Sequence, residues 1–444
     1  MVGDIEVRER AAHRNNMPAS QARPALQSEE RMNVSNQKFQ FASILFVCWF
    51  ASYLERFLIN LALPFIGAEF KIDESGLGLL LSVFFLGYAL IQLPGGWIAD
   101  RIGTRKTILF SVAMFAVFTA ASGLAWSLTA MFVIRFLFGI FEGCFPTAAY
   151  KAVAEGYAKN ERARVQSFML ATNPLSLVVA PLLAVPLIAY LGWRGMFLGA
   201  SVVGLLAFAL YLFGTRTSHP APSNQPVAGG AYAAPRGFGE LVRDSNIWKI
   251  SVINFGVNIL IWGFLSWLPS YMMKVQKLDL VHAGFVSALP GVAGIVGMLA
   301  GGWLADKAFA GREKYLLLTS VVLAGISLFV MLNVRDLPVV IACQLVLAFS
   351  MKISFIALWA LPLKLIEAKD MGMASGIVNL GSQLAGVASP AVMGFLIVAR
   401  HGSYDGAFAF LAACTVLCAI VTLTLPGKES ASLHREPELA AQKQ

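Results

Sequence analysis

The sequence predicts an all-α membrane protein, with twelve transmembrane helices in two six-helix, pseudo-symmetric bundles. Three observations lead there. Of 444 residues, 57% are hydrophobic and only 13% charged, a balance too apolar for a soluble globular chain. About twelve apolar runs of roughly 20 residues recur, each long enough to cross about 30 Å of hydrocarbon. A seven-residue phrase also occurs twice: Gly95-Gly96-Trp97-Ile98-Ala99-Asp100-Arg101 returns as Gly301-Gly302-Trp303-Leu304-Ala305-Asp306-Lys307, each copy closing a long apolar run. Such an internal duplication predicts two related bundles in one polypeptide and makes transport the leading idea.

The elements follow in order. Residues 1–38 mix Arg, Glu, Asn, Gln and Pro without apolar periodicity and read as a disordered tail, not a cleavable signal peptide. Six spans with cores near 41–66, 77–98, 107–125, 131–151, 166–190 and 196–213 make a first bundle over 39–213. A Pro-, Gly-, Ala- and Ser-rich stretch over 214–248 has the composition of a linker. Six further spans, near 250–272, 283–304, 315–333, 338–361, 373–398 and 406–425, make a second bundle over 249–426, and 427–444 is a polar tail.

Placing both termini on the cytoplasmic side puts 25 of the 34 Lys and Arg inside and 6 outside, which satisfies the positive-inside rule for a multi-pass protein of the cell (inner) membrane. The net charge of +9 is then mostly topology, and the lipid bilayer, not nucleic acid, is the expected large partner. All five cysteines fall inside spans, with no disulfide or zinc spacing. None of the five histidines lies deep in a span, so any proton relay falls to carboxylates. No cofactor is expected.

After the first copy of the repeat the chain continues Ile102-Gly103-Thr104-Arg105-Lys106. An acid and three bases thus occupy a short turn that can dock on a neighbouring helix. Asp100 can be held by donors at a nearby helix N-terminus, and Gly95 and Gly96 permit close backbone approach. The expected role is a conformational latch formed by Gly96, Asp100, Arg101, Gly103, Arg105 and Lys106, with Asp306 and Lys307 in the second copy. A plain stop-transfer anchor would not require Asp in register in both copies. The stretch Gly96 to Lys106 resembles the signature loop of the major facilitator superfamily, and the likeness extends over about 39–426. It implies the major facilitator fold. The second copy departs from the signature, with Ala308-Phe309-Ala310 before Gly311-Arg312-Glu313-Lys314.

Ionisable residues in hydrocarbon cost at least about 2.5–3.5 kcal/mol each, so the few present are the strongest functional signal. The first span holds adjacent Glu55 and Arg56. Neighbours on a helix point about 100° apart, so one can face a cavity and the other a second helix. The fourth span holds Arg135 and Glu142, seven residues apart and on one face. A carboxylate binds a proton more readily in a low-dielectric medium and less readily beside an arginine. Alternation between paired and unpaired states therefore couples proton binding to motion; the competing reading is a static salt bridge between spans 1 and 4.

Tyr53-Leu54-Glu55-Arg56, the run from Arg135 to Glu142, Phe145-Pro146, Glu161-Arg162 and Gly192-Trp193-Arg194 resemble the anion:cation symporters, which include bacterial carriers of sugar acids and aromatic acids and animal sialin. The usual first-span acid of that family is Asp, where this chain has Glu55. The resemblance implies proton-coupled uptake of a small organic anion. It assigns Arg56 to the substrate carboxylate, Glu55 and Glu142 to the proton, and Arg135 to the role of partner of Glu142. Tyr53, Tyr88, Asn173, Trp359 and Asn379 match positions that line the cavity in such carriers.

Other residues stand out without the resemblance. Asn379 and Gln383 lie one turn apart in an apolar span, where an unpaired amide is costly, so they should face a wet cavity. Asn254, Asn258, Trp262 and Ser266 recur at four-residue spacing, with Asn258 a candidate substrate contact and interhelical packing the alternative. Lys352, near the centre of its span and on the face of Trp359, has no acid nearby in sequence and reads as a second anion anchor; the alternative is a lysine that snorkels. An exporter on the same fold is the runner-up, but the fifth span lacks the Gly-rich pattern of such carriers. A membrane-embedded enzyme lacks any catalytic constellation. A monomer binding a small organic anion, with the proton as coupling ion, is the expected working unit.

Overall fold

A computed structural model describes residues 19–215, 238–362, 366 and 370–425. The helices are α1 (Ala19–Phe70), α2 (Glu74–Ile102), α3 (Thr104–Gly123), α4 (Leu128–Gly156), α5 (Lys159–Leu170), α6 (Thr172–Gly214) and α7 (Phe238–Arg243). After these come α8 (Ser245–Lys274), α9 (Leu280–Trp303), α10 (Glu313–Asn333), α11 (Leu337–Ala360), α12 (Met371–Ala399) and α13 (Asp405–Leu423). Eleven stretches among the described residues are long and apolar enough to cross a membrane.

The longest of those, Arg164–Gly214, holds two of the twelve expected spans. Its backbone breaks at Gly192 (φ 70°, ψ 173°), a conformation open essentially to glycine alone. The arms double back there. A methyl on Gly199 would meet the Leu187 side chain at 3.1 Å, whereas residues twelve apart on a straight helix are separated by about 18 Å. Trp193 and Arg194 then fasten the turn. Trp193 Nε1 donates to Glu69 Oε2 at 2.7 Å, and Arg194 donates to Glu69 Oε1 and to the carbonyls of Gly123 and Ala125.

In the described chain α1 begins at Ala19, within the stretch 1–38 that the sequence sets apart as a polar tail. Its junction with the bundle is pinned: Tyr157 Oη donates to the Lys38 carbonyl, and Lys38 Nζ donates to Glu161 Oε2 at 2.7 Å. That donor, joined by the Ala158 N–H, holds the Glu161 carboxyl below its ordinary range. Residues 216–237 of the expected linker and all of the expected tail 427–444 lie outside the described residues, as do 1–18.

The duplication is visible in packing. Gly95 lies against α4, where a methyl would be 3.3 Å from Cys144 Cα, and Gly301 lies against α11, with a methyl 3.2 Å from Ile353 Cα. The copies then diverge. The first stays α-helical to Ile102 and turns at Gly103 (φ 89°), while the second runs into a π-helical turn over Leu304–Ala308.

The closest backbone approaches between the halves lie away from the end that carries the repeated loops, as at Gly78 against Pro390 and Gly394 against Glu74. There α2 runs against α12, α6 against α9 and α1 against α8. Lys274 of α8 pairs with Glu74 of α2, and Asn60 donates to the Leu265 carbonyl at 3.3 Å. One apolar cluster draws on both halves, whereas a second is built from the loop end of the first half. Large apolar side chains cover the outside, among them Leu206, Phe213, Leu299 and Phe329, which is the surface of a multi-pass membrane protein.

Candidate functional site

Adjacent residues at the middle of α1 part company, as their 100° offset requires. Glu55, 1% exposed, turns inward between α3 and α6. Thr119 Oγ1 donates to its Oε2, and its Oε1 has no hydrogen-bond partner. Gly204 makes the room: a methyl there would collide with Glu55 Oε1 and Ala116.

Arg56 turns toward the other half. Its Nη2 donates to Glu142 Oε1 at 2.6 Å and its Nε to the same oxygen at 3.2 Å, while Ser52 Oγ donates to that oxygen at 2.6 Å. Glu142 is wholly buried, and its Oε2 has no partner. Four rings surround the Arg56 guanidinium: Tyr88 at 4.8 Å, Tyr53 at 5.1 Å, Phe84 at 5.2 Å and Trp262, from the second half, at 5.5 Å. A desolvated cation over aromatic faces gains about 0.5–2 kcal/mol per contact.

The expected pairing of Arg135 with Glu142 is therefore corrected to Arg56 with Glu142. Seven residues along one helix separate Arg135 from Glu142 by about 10.5 Å of rise, and the guanidinium of a facing helix reaches the carboxylate head-on. Arg135 instead lies over the Phe138 and Phe84 rings at 4.7 and 5.4 Å and interacts electrostatically with both Glu142 and Glu55. Its Nε is buried without a partner. Arg56 and Arg135 line one small recess together with Asn60, Phe85, Trp262 and Ser266.

On the side nearer the repeated loops, Lys352 of α11 crosses between halves, its Nζ donating to Asn173 Oδ1 of α6 at 2.8 Å. Asn379 of α12 donates to Gln92 of α2 at 3.3 Å. Gln383 and Trp359 are half-buried, and the Trp359 indole nitrogen has no partner. Asn258 is elsewhere. It is buried and its amide donates to the carbonyl and side-chain oxygens of Asn254 at 2.8 Å, while Asn254 donates to the Val378 carbonyl at 2.7 Å. Asn254 thus ties α8 to α12, and Asn258 holds Asn254 from one turn further along α8.

In the repeated loop, Asp100 is held by Lys151 of α4 and not by a helix N-terminus. Lys151 also donates to the Ala99 carbonyl at 3.1 Å. Arg101 stacks on Trp97 at 4.4 Å, and Arg105 reaches Thr215 Oγ1 and the Leu212 carbonyl at the end of α6, both at 3.2 Å. Gly96 faces open space, so the expected close approach is made by Gly95 alone. Lys106 is exposed, and Asp306 and Lys307 are exposed with no ion pair among the described residues.

Ser52, Thr119, Asn60 and Gln92 complete these contacts and were not singled out in the sequence. Gln92 carried the same signal as Asn379, an amide in an apolar span; serine and threonine in a helix carry almost none, because they can satisfy themselves on their own backbone.

Residues 45–390 and 309–443 match the Major Facilitator Superfamily. The chain is 30% identical over 399 residues to a probable sulfoacetate transporter of Cupriavidus necator, covering 86% of this chain and 92% of that one. It is 24% identical to the hexuronate transporter of Bacillus subtilis, over 88% of this chain and 94% of the other. With a probable galactarate/D-glucarate transporter of Escherichia coli the identity is 25%, over 88% and 95%. Its fold is similar to a bacterial homolog of the human lysosomal transporter Spinster, solved in an inward-facing and occupied conformation, with a TM-score of 0.73 at 17% identity over 89% of this chain and 97% of that one. Two duplicated helical bundles, the signature loop and a match spanning nearly the whole chain lead to one conclusion: the protein belongs to the Major Facilitator Superfamily.

Proposed function

We propose that this chain is a proton-coupled symporter that takes up a small organic anion, a sugar acid or an aromatic or dicarboxylic acid, across the inner membrane by alternating access. Both termini are cytoplasmic in this reading, and one chain is the working unit. The buried Arg56–Glu142 pair carries it. A substrate carboxylate and the Glu142 carboxylate are chemically alike and compete for one guanidinium. Protonation of Glu142 removes the competitor and frees Arg56 to grip the substrate through two parallel hydrogen bonds. Loss of the proton restores the pair and expels the anion.

Arg135, between the two carboxylates electrostatically, extends the same competition to Glu55. The relatives support the substrate class, since all three are described as carriers of organic acids. The split of 25 basic residues to 6 supports the orientation.

The test is uptake into proteoliposomes of labelled mono- and dicarboxylates, with and without an imposed pH gradient. The natural protein should accumulate its substrate only with the gradient. Glu142→Gln should lose accumulation while keeping part of the exchange of substrate across the membrane. Accumulation that ignores the gradient, or a Glu142→Gln carrier that still concentrates substrate, overturns the proposal.

A further inference from the structure

We infer that Lys352 is a specificity-determining residue that makes this carrier select dianions, organic acids with a second anionic group, over mono-acids of the same skeleton. The inference rests on the proposed carriage of organic anions and adds to it the charge of the substrate.

Among the described residues, Lys352 is the one cation of the second half that lies away from the ends of a span, and no carboxylate pairs with it. Its ammonium has three N–H donors, and among the described residues it donates to the neutral Asn173 Oδ1. A charge within a membrane is costly unless it is paired or solvated, so an amide oxygen leaves this one short of a counterion. Asn173 and Lys352 are both half-buried where the halves face each other. Gly294 lies against the lysine stem, where a methyl would be 3.5 Å from Cε. Arg56 reaches the same interface from the first half, as its contact with Trp262 shows.

The charges can be counted. The spans hold three cations, Arg56, Arg135 and Lys352, and two acids, Glu55 and Glu142. With Glu142 protonated to release Arg56, the two cations that reach the interface between the halves, Arg56 and Lys352, are left without an acid partner. A dianion cancels them, with one group on Arg56 and the other on Lys352. A mono-anion leaves one cation unmatched in a low-dielectric cleft. The chemistry admits a dicarboxylate or a carboxylate with a sulfonate, because either second group accepts from an ammonium.

The test is competition in proteoliposomes between acids that differ at one end only, succinate against butyrate and glucarate against gluconate. The natural protein should prefer the di-acid at least tenfold. Lys352→Met keeps most of the apolar stem and removes the charged end; it should bring the ratio to within about twofold of unity by losing di-acid uptake more than mono-acid uptake. Lys352→Arg should restore the preference. Equal ranking by the natural protein, or a Lys352→Met carrier that keeps the preference, overturns the inference while leaving proton-driven anion uptake intact. A Lys352→Met protein inactive toward both acids also overturns it, since the lysine would then serve transport in general and not selection. If the natural protein moves no organic anion at all, the parent proposal fails first.

Discussion

At position 56 an arginine does what a lysine cannot. Its planar guanidinium places Nε and Nη2 on a single Glu142 oxygen and offers its faces to Tyr53, Phe84, Tyr88 and Trp262. A lysine would keep the charge as a point and lose both the fork and most of the stacking. Arg56→Lys should therefore weaken binding itself and not merely slow the cycle. Hydrogen bonds to charged groups contribute about 1.5–3 kcal/mol, so the loss of one fork bond predicts a fall in affinity of about tenfold to a hundredfold, read by thermal-shift titration with substrate. Unchanged affinity would remove Arg56 from the binding site. The sequence made these ionisable residues legible because hydrocarbon tolerates so few. It left their partners open: helical periodicity fixes which residues share a face, as for Arg135 and Glu142, but which side chain of another helix meets that face depends on packing. The same limit applies to Glu55, whose direction is set by the space at Gly204 and the hydroxyl of Thr119.

Among the elements, the spans were legible because bilayer thickness imposes their length, and the turns between them were less so. Gly192-Trp193-Arg194 is informative. In sequence it is a family likeness; in the structure it is a hairpin between two membrane crossings, with the glycine supplying the backbone angle and the next two residues closing on Glu69. Gly192→Ala should cost about 1–3 kcal/mol of backbone strain. Glu69→Gln keeps the shape but weakens the bonds to Arg194; because both side chains are partly exposed, about 1 kcal/mol is expected. Thermal unfolding in detergent should rank the variants, with Gly192→Ala melting lower than Glu69→Gln and both lower than the natural protein. A Gly192→Ala protein that melts with the natural one would show that the hairpin tolerates a side chain at that angle. The copied loops make a related point. Seven residues run in register and then the copies part: the first ends on Gly103, and the second, with no glycine until Gly311, unwinds through a π-turn.

For the whole molecule, the two-bundle architecture follows from the duplication and the apolar runs, but the state of the cleft does not, since the proposed alternating access gives one sequence two arrangements. The structure holds the halves together at the end away from the repeated loops, through the close backbone contacts of α2 with α12 and through Lys274 with Glu74. That ion pair joins opposite halves, so it exists only while this end is closed and must weigh on the balance between states. Its groups are partly exposed, which limits its worth to about 0.5–1 kcal/mol. A bias of that size changes the ratio of two states by about twofold to fivefold. Replacing Glu74 and Lys274 together by glutamine avoids leaving either charge alone and should enlarge the population open at this end by that factor. Spin labels at Leu124 and Asp336, exposed positions at this end in the first and second half, report it as growth of the longer of two distances. Distance distributions that match between the natural and doubly substituted proteins would mean that apolar and backbone contacts alone hold this end closed.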